Sequence, residues 1–169
     1  MRRSSLFSFA AVLTSVSTGA VAQGTESEFL KKFGGSFAGG GGVRTAADSS
    51  PWNVKCKISG ASTASTISLD GTCTAAAVVT RKIGADLKVD PSGTYTGTYT
   101  GSKIGPAALS GRRKGDSVVL NVTWPKPVNG DTKATMTITP TGNGFTFAVD
   151  DLNQPGGSLV RMTDIKLAR

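Results

Sequence analysis

From Gly34 onward the chain never sustains a 3.6-residue apolar period, whereas apolar and polar side chains alternate one by one through a succession of short segments. Such alternation fits half-buried β-strands, whose successive side chains face opposite ways. Trp52, Val54, Cys56 and Ile58 point one way and Asn53, Lys55 and Lys57 the other, while Ile67, Leu69, Gly71 and Cys73 form the matching apolar face of the next segment. Further strands are expected at 36–44, 75–83, 85–89, 94–100, 107–113, 117–124, 132–139, 144–150 and 159–167. Pro91-Ser92-Gly93, Lys114-Gly115-Asp116, Asn129-Gly130-Asp131 and Gly142-Asn143-Gly144 carry the residues that tight hairpins demand.

No segment of helical character is long enough to cross over between strands, which argues for antiparallel pairing. Short strands in such number must hide their edges, and closure does so. The fold expected is all-β, an antiparallel up-and-down barrel of about eight to ten strands with a short N-terminal helix. A two-sheet β-sandwich is the alternative.

Ahead of the strands, Arg2 and Arg3, an apolar run at 6–16 and the small-x-small triplet Ala20-Val21-Ala22 have the form of a signal peptide, 1–22, cleaved before Gln23. The residues after the Arg pair fit a twin-arginine signal poorly, so the general export route is expected. No cysteine follows the cleavage site to accept a lipid anchor. No later stretch has the length of a transmembrane helix. The expectation is one domain, 23–169, in the periplasm or secreted. Thr25-Glu26-Ser27-Glu28 reads as a capping box, followed by Phe29, Leu30 and Phe33 on one helix side, placed to cover something apolar. Gly39 to Gly42 leave the first strand so poor in side chains that it should bend sharply or let another backbone approach.

Cys56 and Cys73, the only cysteines, sit on the apolar faces of two successive strands and are expected to form a disulfide. The chain has no histidine, which removes the centre of Ser/His and Cys/His mechanisms and of most zinc sites. Asp90, Asp116, Asp131, Asp150 and Asp151 fall at turns or strand ends, where aspartate usually shapes turns. Asp150, Asp151 and Asn153 could hold calcium weakly, with an ordinary polar loop as the simpler reading. No catalytic residue, metal ligand or cofactor is assigned, and no enzyme is expected.

A binding role is the alternative to catalysis. The formal net charge of +8 falls by two when Arg2 and Arg3 leave with the leader. Arg112-Arg113-Lys114, Arg81-Lys82, Lys55 and Lys57 could form a basic face for an envelope protein or an anionic polysaccharide. Nucleic acid is disfavoured, because no aromatics interleave these cations to stack on bases. Trp52, Tyr95, Tyr99 and Trp124, joined by Phe145 and Phe147, could instead line a cavity for a small apolar or amphipathic molecule. A core filled by side chains is the competing reading. Gly71, Gly97 and Ala134, small residues on the same side, leave interior volume to account for.

The segment Phe33-Gly34-Gly35-Ser36-Phe37 follows a short helix, opens the first strand and is matched by basic residues at 161–169. This arrangement resembles the calycin barrels, the lipocalin and avidin group, whose first strand carries a Gly-x-Trp motif packed under a late arginine. Phe37 stands where the tryptophan would be. Thr94-Tyr95-Thr96-Gly97-Thr98-Tyr99 and Leu109-Ser110-Gly111-Arg112 also look like strands of that group. The layout is similar to small exported alphaproteobacterial proteins of unknown function. The resemblance implies a barrel and ligand binding, and names no ligand.

Overall fold

Turn chemistry sets the register of every hairpin. In the turn after Val89 the Asp90 carboxylate accepts hydrogen bonds from the Ser92 and Thr94 amides at 2.8 and 3.0 Å and from the Ser92 hydroxyl at 2.6 Å. At Asn129-Gly130 both residues take positive φ, 51° and 105°, the pair of values a tight hairpin with the right twist requires.

The computed structural model describes residues 19–76 and 78–169. Helix α1 (Gly19–Lys31) precedes ten strands: β1 (Gly35–Val43), β2 (Trp52–Ser62), β3 (Thr66–Ala75), β4 (Val79–Val89), β5 (Thr94–Thr100), β6 (Ala107–Lys114), β7 (Ser117–Val128), β8 (Asp131–Thr141), β9 (Gly144–Leu152) and β10 (Leu159–Ala168). Each strand pairs antiparallel with its neighbours in sequence, and β1 pairs with β10 from Ala38↔Ala168 to Val43↔Thr163. The sheet is therefore a closed up-and-down barrel of ten strands, not a sandwich.

Glycine lets β1 fit at that seam. An added Cβ at Gly39 or Gly41 would lie 2.0 or 1.9 Å from the carbonyl oxygens of Lys166 and Asp164, so only glycine allows the two backbones to come this close. The strand pairs with β2 along its whole length and with β10 from Ala38 to Val43, rather than breaking at a bend.

Two boundaries differ from the sequence reading. Residues 75–89 hold one strand rather than two. Ala75 closes β3, a turn follows in which Ala76 has φ 48°, and β4 runs unbroken through Gly84, which pairs with both Asp70 and Thr100. Helix α1 extends upstream of Thr25, as far as Gly19 among the described residues, so the capping-box residues lie inside the helix. Most of the expected leader, 1–22, lies outside the described residues.

The inner face is mostly apolar, interrupted by Arg81, Arg113 and Asp151, and α1 plugs one end. Phe29, Leu30 and Phe33 are almost wholly buried. Phe33 meets Phe145 edge-on at 5.6 Å, and Phe145 meets Phe37 at 5.0 Å, so helix and barrel share one aromatic core. Polar clamps fix the plug from opposite sides. Tyr95 donates its hydroxyl hydrogen to Glu26, Arg113 pairs with the other Glu26 oxygen at 3.3 Å, and the Arg113 guanidinium lies 4.2 Å from the Phe29 ring centre. Arg169 donates from Nη2 to the carbonyls of Lys32 and Gly34 at 3.0 and 2.9 Å and stands 4.8 Å over the Phe37 ring. Arg169, one residue past β10, thus packs on the aromatic ring of β1.

Candidate functional site

Alternation along β5, β7 and β9 sends Tyr99, Trp124 and Phe147 inward near the end of the barrel remote from α1. Tyr99 meets Trp124 edge-on at 6.3 Å and stacks against Phe147 at 6.1 Å, 25° from parallel. Burial raises the Tyr99 phenol above its ordinary pKa, against a smaller opposing pull from the Arg81 charge. These rings form the floor of that end.

The four aromatic residues proposed from the sequence are not gathered in one place. Tyr99 and Trp124 are in contact. Tyr95 is buried at the plugged end, where burial first and its bond to Glu26 second raise its pKa strongly. Trp52, at the start of β2 opposite Val43, is half exposed. The cysteines stand directly across from one another on β2 and β3, with Cα atoms 4.0 Å apart, and are joined in a disulfide.

Cys56, Ile58, Leu69, Ile83, Tyr99, Ile138, Phe145 and Phe147 are among the residues around an interior cavity of about 30 Å³. A site for a drug-sized ligand needs roughly 300–1,000 Å³. An apolar cavity as large as ~150 Å³ stays dry and takes benzene. The interior is therefore nearly filled, and the residual space is smaller than one aromatic ring requires.

Beside the aromatic floor lies a polar group that the sequence reading placed among the aspartates at turns or strand ends. Asp151, two residues after inward-facing Val149, is buried at 2 % exposure. Its Oδ1 accepts the Leu152 amide at 2.7 Å. Burial raises its pKa and the nearby Asp131 charge adds to the rise, while the Leu152 amide and the Trp124 indole N–H act in the opposite sense. The indole N–H faces the carboxylate without completing a hydrogen bond of good geometry, and it is buried with no other partner. Strict alternation from Val149 was the available signal. The same alternation separates Asp150, which faces outward and chelates Arg161 at 2.5 and 3.2 Å, from Asp151, so the two do not form a cation site.

Outside the barrel the expected basic face is only partly assembled. Lys55, Lys57, Lys82, Arg112 and Lys114 are exposed on outward positions. Arg113 turns inward to Glu26, and Arg81 sits half-buried on the inner side of β4 opposite Cys73. A concavity that the sequence reading did not identify lies nearby, a cleft of about 450 Å³ over β10, β1 and β2. Gly40 and Gly42 form its floor, and Arg44, Asn53, Arg161, Asp164 and Lys166 its walls. Arg161 also approaches Asp164 at 3.8 Å, and Arg44 donates to the Ser49 carbonyl.

No protein-family model matches the chain, and no curated protein matches it.

Proposed function

We propose that this chain is an exported, non-catalytic binding module of calycin-like architecture that engages an anionic envelope partner through its basic outer face. The contrast in volume carries this reading: about 30 Å³ inside the barrel against about 450 Å³ in the cleft outside it. The interior hollow at Tyr99 and Phe147 is too small for a partner of more than a few atoms, which favours the outer surface. The disulfide supports an oxidising compartment. Salt-sensitive retention on an anionic polysaccharide column, with unchanged intrinsic fluorescence, is the expected result. Absence of retention at low salt removes the reading.

The interior supports a second reading, a small apolar or amphipathic ligand beside Tyr99, Trp124 and Phe147. The observation in its favour is the apolar lining of the residual cavity. Its volume restricts such a ligand to a few heavy atoms. Quenching or a spectral shift of Trp124 emission at stoichiometric ligand would support it, and an unchanged spectrum across short-chain aliphatic and aromatic compounds would remove it.

A further inference from the structure

We infer that the cleft over β1 is the binding site of the surface reading, and that its ligand is a linear polysaccharide carrying both carboxylates and hydroxyls. The inference rests on that reading and narrows it. Lys55 and Lys166 pair with Gly40 from opposite sides, so their backbones stand two strand spacings apart, about 10 Å. The two lysines flank a floor that carries no side chain there. Both are exposed, and neither makes a hydrogen bond or ion pair among the described residues. Two residues along β1, Gly42 lies opposite Asn53 on one side and Asp164 on the other, and Arg44 follows at the strand end.

Charge selects the class of polymer. Arg44, Arg161 and Lys166 line the cleft against Asp164, and Lys55 stands at its rim beside Gly40. With Arg161 already held by Asp150, the cations Arg44, Lys55 and Lys166 still exceed the one carboxylate of Asp164, so the cleft attracts anions. Asp164 in the wall is exposed and repels a densely charged phosphodiester, yet accepts hydrogen bonds from sugar hydroxyls. The cleft lining has no aromatic ring, so it offers nothing for bases to stack on. A uronate polymer, with spaced carboxylates and hydroxyls between them, satisfies both kinds of wall.

The test measures binding of polygalacturonate to the full, oxidised chain as a function of salt, with dextran and duplex DNA as competitors. Polygalacturonate should bind at low salt, weaken as salt rises, and resist competition by dextran. Lys55→Glu with Lys166→Glu should weaken binding about tenfold or more, while Lys88→Glu with Lys126→Glu, equal in charge change but remote from the cleft, should weaken it less than about threefold. Asp164→Asn should narrow the preference for polygalacturonate over DNA. Equal losses in the two lysine pairs would overturn the cleft and leave the surface reading standing. DNA outcompeting polygalacturonate on the wild-type chain would overturn the polysaccharide. No polyanion binding at low salt would remove the inference and the surface reading together.

Discussion

Asp151 is a carboxylate enclosed by protein on the aromatic side of the barrel, and the Asp131 charge adds to the rise in its pKa. Its folded pKa is raised, so the native state holds the proton more tightly than the unfolded chain. Stability should therefore rise as pH falls from neutral through the raised value, and the gain should be complete once the pH is below the ordinary carboxylate range. Asp151→Asn removes this dependence and should stabilise the protein at neutral pH by on the order of 1 kcal/mol, because the amide oxygen keeps the Leu152 bond. Urea titrations of both proteins at several pH values read the difference, which also cancels Asp90, whose hydrogen bonds from Ser92 and Thr94 lower its pKa. At the plugged end, Tyr95→Phe deletes a hydrogen bond to the Glu26 carboxylate and should cost about 1.5–3 kcal/mol in the same measurement. The burial of Asp151 was legible only through strict alternation from Val149, and the role of Tyr95 was not legible at all. Tyr95 follows the same alternation as Tyr99, and only the three-dimensional position of Glu26, far away in sequence, distinguishes the two.

Among the elements, β2 and β3 are tied by a cross-link that closes a loop with a sequence separation of 17. By the chain-entropy relation such a closure contributes about 3 kcal/mol. Cys56→Ala with Cys73→Ala should lower unfolding stability by about that amount, read as a lower denaturant midpoint with a steeper slope, because the unfolded chain without the cross-link is more open. Pairing of these cysteines was readable because both lie on the apolar faces of adjoining strands. The hairpins were readable for a similarly local reason: Asn129-Gly130 and the Asp90 turn announce their own geometry. The continuity of β4 was not, because Gly84 breaks a pattern in the sequence without breaking the ladder. The extent of α1 was hidden too, since the residues before Thr25 read as the end of an export leader.

For the molecule as a whole, the all-β closed meander followed from alternation plus the need to hide edges, both properties of the chain read in order. The location of a concavity did not follow. The outer cleft arises where β10, β1 and β2 meet, and β10 and β1 are brought together only by ring closure. No one-dimensional pattern marks that junction beyond the glycines of β1. Closure itself is testable: removing 159–169 strips β1 and β9 of a partner, and the product should lose its monomer peak in size-exclusion chromatography as the bare edges associate. A monomeric, β-rich truncation would show that the seam is dispensable.

The β1–β10 seam is also the most long-range pairing in the sheet. The opening strand finds its second mate only in β10, so ring closure carries the largest loop-closure cost of any ladder and is expected late in folding. Until then both terminal strands keep an open edge.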